Sequence, residues 1–287
     1  MKYRLYFGIA PFILFIRINC CKREETVIQL KSVYSVRIKT ERIKMFDIHC
    51  HICYGCDDGA DSLDTAVKMA ELAFEKGTKA IAATPHCNIP GSFANFWSEE
   101  FETKLDLLRA ALAERGTEIG IFPGQEIFCT SRTPQLLESG ELITLNNSRY
   151  PLVEFDFYEF SDSVYDKLRS LVSHGYVPVV AHPERYAFVS EESGAASAMK
   201  SIGCLLQINK GSLDGRFGMQ AYIAASEMLG GRLADVIASD AHSPYMRTPD
   251  MSHIHEKICE EYSYEYADLL FSGNPERILE NRETLAF

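Results

Sequence analysis

Basic residues are in short supply in this 287-residue chain, where 29 Lys and Arg face 40 Asp and Glu for a net charge of -11. That sign excludes a nucleic-acid polyanion as the main partner, because phosphate backbones are held by Lys and Arg through counterion release. Long apolar runs are scarce as well. Residues 5–16 follow Lys2 and Arg4 as the core of a signal peptide would, but they are too short to span a bilayer comfortably. No small-residue cleavage site follows them, and Cys20-Cys21-Lys22-Arg23 is an awkward exit. A disulfide framework is missing too: nine Cys is an odd number without a secreted spacing, which points to free thiols in a reducing compartment. Cys50, Cys53 and Cys56 form a Cys-x2-Cys-x2-Cys run with no second pair to complete a zinc knot, so they are expected as small apolar fillers near a turn. Low-complexity stretches, heptads and internal repeats are also lacking, which leaves an ordinary globular chain.

The charge is unevenly spread. Residues 1–44 carry ten Lys/Arg against three Glu, so the remainder is far more acidic than the average. Residues 1–44 are expected to be an N-terminal extension outside the fold, with Met45 as the working start and residues 45–287 as one domain. That places the protein in the cytoplasm without stable membrane insertion; a membrane anchor through residues 5–16 is the alternative.

From Met45 onward, short apolar runs alternate with amphipathic stretches about seven times, the pattern of βα units. Phe46-Asp47-Ile48 is an expected strand, and a helix from about Ser62 has Leu63, Val67, Ala70 and Phe74 near helical spacing, with Gly77 as its stop. Residues 79–84 read as a buried strand. A longer helix is expected over 98–115, with Phe101, Leu105, Leu108 and Leu112 on one face. Strands follow at 119–122 and 150–155, then a helix around 165–174 with Leu168, Leu171 and Val172 as its apolar face. Runs at 177–181, 204–208 and 236–239 supply the remaining strands. Continuous apolar runs suit parallel strands covered on both faces, so a closed or distorted α/β barrel is favoured over an open sheet.

The ionisable residues fall in a pattern along these strands. His49 and His51 follow the first strand, His86 the second, Glu126 the third; Glu154 closes the fourth, His182 follows the fifth, and Asp240 and His242 follow the seventh. All lie at carboxyl ends, which converge on one face of an α/β barrel. One His after a strand is an ordinary hydrogen-bonded residue, but five of the eight His gathered with carboxylates point to metal. In His49-x-His51 and Asp240-x-His242, alternate residues of an extended segment face one ion. Imidazole mixed with carboxylate suits Mn, Fe or Zn. Eight such residues are too many for one tetrahedral ion, so two or three divalent ions are expected, with a bridging water made acidic enough to serve as hydroxide.

The stretch from Asp47-Ile48-His49-Cys50-His51 through Asp57-Asp58-Gly59 resembles the opening signature of PHP (polymerase and histidinol phosphatase) domains. Ala83-Thr84-Pro85-His86, Gly124-Gln125-Glu126-Ile127, Val180-Ala181-His182-Pro183-Glu184-Arg185-Tyr186, Gln207-Ile208-Asn209-Lys210-Gly211-Ser212 and Ile237-Ala238-Ser239-Asp240-Ala241-His242 resemble the bacterial capsule and exopolysaccharide protein-tyrosine phosphatases of that group. Asn274-Pro275 also fits, and the resemblance runs in order over residues 45–283.

The resemblance implies a distorted (β/α)7 barrel of the PHP type that hydrolyses phosphotyrosine. It implies one ion near His49, His51, Glu126 and Asp240, and a second near Glu126, Glu154 and His182. A third would lie near His86, His242 and one of Asp57 and Asp58, with Asp58 preferred; Mn is the favoured metal. Arg185 and Arg247 are implied as guanidinium clamps on the phosphate, the alternative for Arg185 being an ion pair with Glu184. Asp47 is expected to support the site from behind. The implied partner is the phosphotyrosine tail of a membrane-associated bacterial tyrosine autokinase that controls polysaccharide export. Departures are Cys50, where relatives usually carry Ser, and Cys87 after His86; every expected ligand remains.

No Cys has Arg six residues on, which excludes the thiolate route to phosphotyrosine. Histidinol-phosphate phosphatase activity on the same scaffold is the rival, and a PHP module that binds metal without turnover is a third reading. The latter would show incomplete ligands, and none is missing.

Overall fold

The computed structural model describes residues 44–287 and two short strands before them, β1 (Val27–Gln29) and β2 (Ser35–Arg37), which pair antiparallel. The segment 5–16 lies outside the described residues. A separate compact unit, Ile43–Phe287, carries all that follows.

Its elements run β3 (Met45–Cys50), α1 (Leu63–Glu75), β4 (Thr78–Ala83), β5 (His86–Cys87), α2 (Glu99–Glu114), β6 (Gly120–Pro123), β7 (Glu126–Phe128), α3 (Thr133–Glu138), β8 (Leu152–Glu154), α4 (Ser161–Ser173) and β9 (Val179–Ala181). Then come α5 (Ala187–Glu191), α6 (Ala195–Ile202), β10 (Leu205–Asn209), α7 (Lys210–Leu213), α8 (Met219–Gly230), β11 (Val236–Ala238), α9 (Ser252–Glu261), α10 (Tyr264–Asp268) and α11 (Asn274–Leu279). Among the described residues, no helix is long and apolar enough to cross a membrane.

Local chemistry sets the helix ends. Ser62 sits in extended backbone ahead of α1, and its hydroxyl accepts from Thr65 N at 3.3 Å, capping one of the free amides of the first turn. In α2 the acidic residues Glu99, Glu100 and Glu102 occupy the positive end of the helix dipole, and Phe101, Leu105, Leu108 and Leu112 are buried as their spacing predicts. Each such side chain stabilises the fold by roughly 1.5–3 kcal/mol. Helix α4 starts at Ser161, four residues before the expected 165, because Ser161, Asp162 and Ser163 are polar first-turn residues that carry no apolar period.

All strand pairs of this unit are parallel, in two sheets ordered β3-β4-β6 and β11-β10-β9-β8-β7-β5. The sheets are parts of one wall. β5 continues β4 after a break at Thr84-Pro85, and β7 continues β6 after Gly124-Gln125, so each interrupted strand belongs to both sheets. Counted that way, the described residues hold seven strands in chain order around the wall. The remaining gap, between β11 and β3, is bridged where His51 N donates to Ala241 O at 2.9 Å and Asp240 N to His49 O at 2.8 Å. This is the distorted (β/α) barrel that the alternation of runs predicts.

Alternation of side chains divides the core. Ile48, Ala80, Ala82, Leu152, Val179, Ala181, Leu205, Val236 and Ala238 share one cluster inside the wall. Their neighbours Ile127, Val153, Val180, Leu206 and Ile237 face the other way into the helical layer. The inner cluster fills the barrel ahead of the strand ends, which therefore carry only the polar residues that follow.

Asp47 locks the seam. Its Oδ1 accepts from Ser239 N at 3.0 Å and from His49 N at 3.3 Å, tying β3 to the end of β11 with no solvent exposure. We expect Asp47→Ala, which strands two buried amides, to lower unfolding stability by about 2–4 kcal/mol. Asp47→Asn keeps an acceptor and should lose less than about 1 kcal/mol; chemical denaturation of the two variants checks this, and equal losses would contradict it.

Candidate metal centre

The expected ligands lie at strand ends, at the breaks within strands or in the loop after β3, and the distances show which of them meet. Glu126, at the start of β7 and fully buried, is the hub: His182 Nε2 is 2.8 Å from it, His86 Nδ1 2.9 Å, His49 Nε2 3.2 Å and His51 Nε2 3.3 Å. Asp240 Oδ1 lies 3.6 Å from His49 Nε2 and 3.4 Å from His51 Nε2. Glu154 Oε1 is 2.9 Å from His86 Nδ1, while its Oε2 is 4.0 Å from His182 Nε2. Asp58 Oδ1 closes the outer edge, 3.5 Å from His242 Nε2 and 3.7 Å from His86 Nε2. Three groups of ligand atoms result: His49, His51 and Glu126; His86, Glu126 and Glu154; and His51, Asp58, His86 and His242. The grouping differs in detail from the implied one, since His86 reaches Glu126 and Glu154, and His51 belongs to two groups.

Two backbone features aim these groups. His182 at φ 35° and Asp240 at φ 49° occupy the left-handed region just after β9 and β11, a conformation that non-glycine residues adopt at a cost of about 1–3 kcal/mol. Gly59 packs directly on the His51 backbone, where a Cβ would come within 2.2 Å of the His51 carbonyl oxygen. Only glycine allows the Asp57-Asp58 turn to close over His51.

Asp57 and Asp58 divide their work. Asp57 Oδ2 sits 2.7 Å from His51 Nδ1 and accepts from His86 N at 2.8 Å, while its Oδ1 caps the turn through Gly59 N at 2.9 Å. Asp57 therefore orients His51, and Asp58 faces the outer imidazoles. Gln207 does for His49 what Asp57 does for His51, with Oε1 2.8 Å from His49 Nδ1. In the neutral tautomers with both Nδ1 atoms donating, the two Nε2 atoms would face each other as lone pairs 3.3 Å apart. Such a pair suits a cation placed between the nitrogens. Glu126 Oε2 and His242 Nε2 are buried without a hydrogen-bond partner among the described residues, a second sign that this donor set fits metal.

The electrostatics agree. Burial opposes charge on His86, but Glu126 and Glu154 outweigh it and push the pKa up to about 10. Burial also opposes charge on His51, and Asp57, Asp240 and Glu126 together hold its pKa well above the ordinary value. Burial raises the Glu126 and Asp240 carboxyls, but the surrounding imidazoles, with Arg247 beside Asp240, hold both well below the usual range. His242 goes the other way, lowered by burial and by His51. A site that draws this much positive charge around its carboxylates will accept a divalent ion in place of protons.

Both arginines reach the rim at Asp240. Arg247 Nη2 is 2.6 Å from Asp240 Oδ1, and Arg185 Nη1 is 3.7 Å from Oδ2. The alternative pairing of Arg185 with Glu184 does not form: Glu184 turns inward and accepts from Asn209 N at 2.9 Å and Ser212 Oγ at 2.7 Å. Asn209 in turn hydrogen-bonds Asp240 Oδ2. Cys50 and Cys53 are buried and Cys56 partly so; the Cys53 and Cys56 sulfurs are 3.1 Å apart, and Cys50 points to Ala241 O instead. Among the described residues, no third thiol joins them. The supporting roles of Gln207 and Asn209 escape sequence reasoning, although both lie in the stretch Gln207-Ile208-Asn209 that ends an apolar strand with polar residues.

Residues 45–280 match the family described as capsular polysaccharide synthesis, CpsB/CapC. The chain belongs to this family. Among CpsB/CapC relatives, tyrosine-protein phosphatase YwqE of Bacillus subtilis (strain 168) is 33% identical over 241 residues, covering 83% of this chain and 92% of YwqE. Tyrosine-protein phosphatase CpsB of Streptococcus agalactiae is 28% identical over 246 residues, covering 83% and 99%. Crystal structures of YwqE from Bacillus subtilis and CpsB from Streptococcus pneumoniae, described as unique metal-dependent tyrosine phosphatases, provide a match with a TM-score of 0.79 at 31% identity. That match covers 85% of this chain and 97% of the solved one.

Outer partners of metal ligands are worth about 10–100-fold in affinity. Gln207→Leu and Asp57→Ala should each weaken Mn binding by about that factor while leaving the fold intact. Calorimetric titration of metal-stripped protein checks the affinity, and circular dichroism checks the fold; unchanged affinity in both variants would refute the orienting roles.

Proposed function

We propose that this member of the CpsB/CapC family is a metal-dependent protein-tyrosine phosphatase acting through two or three divalent ions, with Mn as the working metal and Fe or Zn as substitutes. The observation that carries the reading is the ring of four imidazoles within 3.3 Å of one buried carboxylate, Glu126, with two guanidinium groups at its rim. His49, His51, Glu126 and Asp240 are assigned to one ion, Glu126, Glu154 and His182 to a second, and Asp58, His86 and His242 to a third. Bound ions supply Lewis-acid charge and a water of lowered pKa, as phosphoester hydrolysis requires.

The residues of the chain do the rest. Arg185 and Arg247 grip the phosphate through paired N–H groups and orient the ester bond toward the ligands. Asp57 and Gln207 keep Nε2 of His51 and His49 aimed inward. Asp58 is more than half exposed, so the outer edge of the site opens to solvent. Exposed Tyr158, Phe160 and Tyr245 follow Glu154 and His242 in loops at the same end. An open rim with aromatic side chains suits a tyrosine on an extended peptide, and we assign the phosphotyrosine tail of a bacterial tyrosine autokinase as substrate. A cytoplasmic site of action fits the unpaired thiols of the described cysteines.

Mn-loaded protein should show a kcat/KM at least about 100-fold higher on a phosphotyrosyl peptide than on histidinol phosphate. His49→Ala and Asp240→Ala should each lower kcat by at least about 10²–10³-fold, and chelation should abolish turnover until Mn is restored. A preference for histidinol phosphate sinks the tyrosine assignment, and full activity in either variant, correctly folded, sinks the metal one.

A further inference from the structure

Arg185 has only a long ion pair with a carboxylate, and no hydrogen bond to one. Asp240 Oδ2, 3.7 Å away, lies beyond hydrogen-bond reach, and among the described residues the Arg185 guanidinium makes no hydrogen bond. Two aromatic rings pack against it. The guanidinium carbon is 4.5 Å from the Phe157 ring centroid and 4.2 Å from that of Phe217. Arg247 is held differently, with Nη2 taken by Asp240 and only a distant contact of 5.8 Å to the Phe217 ring.

Both rings are themselves seated. Phe157 comes from the loop after β8, where Ala187 N donates to Phe157 O at 2.8 Å, and its ring lies 6.0 Å from that of the buried Tyr186. Phe217 follows the turn after α7, closed where Arg216 N donates to Gly211 O at 2.9 Å. Its ring occupies the space that a side chain at Gly211 would take: a Cβ there would meet Phe217 Cε2 at 2.7 Å. The sequence thus leaves position 211 empty for this ring.

We infer that Phe157 and Phe217 are positioning residues that hold the Arg185 guanidinium in place by cation–π contact and leave its N–H groups free for the phosphate of the substrate. The inference rests on the phosphatase reading above. A carboxylate partner would also fix a guanidinium, but it would occupy N–H groups and offset the charge that the phosphate needs. Aromatic faces restrain the group through its π surface and do neither.

The test uses the full chain loaded with Mn, with inorganic phosphate as the binding probe and a phosphotyrosyl peptide as substrate. Phe217→Leu and Phe157→Leu, which keep apolar bulk but lose the ring, should each weaken phosphate binding and raise KM about tenfold, with bound Mn and melting temperature unchanged. Phe217→Tyr should restore both to within about twofold. Gly211→Ala, which keeps Phe217 but displaces its ring, should reproduce the loss and add nothing to Phe217→Leu. In an Arg185→Ala background, Phe217→Leu should cause no further loss. A tenfold loss that persists without Arg185, or wild-type phosphate affinity in both Leu variants, overturns the inference. Wild-type protein that binds phosphate but does not turn over the peptide overturns the tyrosine-phosphatase reading alone, since phosphate affinity still reports the role of the two rings.

Discussion

A carboxylate sealed from water needs positive charge at close range, and Glu126 sits where four imidazoles can supply it. That constraint governs the carboxyl end of the barrel. His49 and His51 must face the same way, so β3 has to run extended to its last residue and beyond. His86 must come from the far side of the break after β4, and His182 must turn back through a left-handed backbone immediately after β9. Asp240 adds a second buried charge, shared between His49, His51 and Arg247. Neither carboxylate has a full set of neutral hydrogen-bond donors, so the site is built for cations rather than for a polar network closed on itself.

The fold answers this demand with an ordinary division of labour. Small and branched residues fill the inside of the wall, ending one or two positions before His49, Glu154, His182 and Asp240. Helices cover the outside through the alternate residues. The strand ends are therefore free of packing duties, and polar residues there are fixed by hydrogen bonds from neighbouring strands, as Gln207 fixes His49 and Asp57 fixes His51. The aromatic contacts of Arg185 extend the same economy to the rim, where its guanidinium makes no hydrogen bond among the described residues.

Much of this is legible in the linear chain because strand and ligand are written next to each other. Val180-Ala181-His182 and Ile237-Ala238-Ser239-Asp240 show an apolar run ending in an ionisable residue, and the period of α2 shows its buried face before any coordinate does. The hidden part has no local signature. His49 and Gln207 are 158 residues apart, and nothing beside either one announces the other. Asp57 and Asp58 are adjacent carboxylates whose separate tasks depend on a turn closed by Gly59, which fixes which one faces inward. Phe157 and Phe217 look like loop aromatics until Arg185 is seen in contact with both. The start of α4 is obscured for a plainer reason, since polar first-turn residues have no apolar period to betray them.

The breaks at Thr84-Pro85 and Gly124-Gln125 have a mechanical consequence. They divide the wall into two sheets, and the candidate ligands divide with it: His49 lies within and His51 follows β3 in the sheet of β3, β4 and β6, whereas His86, Glu126, Glu154, His182 and Asp240 extend from or lie within the other. Ions held among these residues would stitch the two sheets together across their seam, on the side opposite the apolar filling. A chain that lost its ions would keep its packed core and loosen first where its sheets meet.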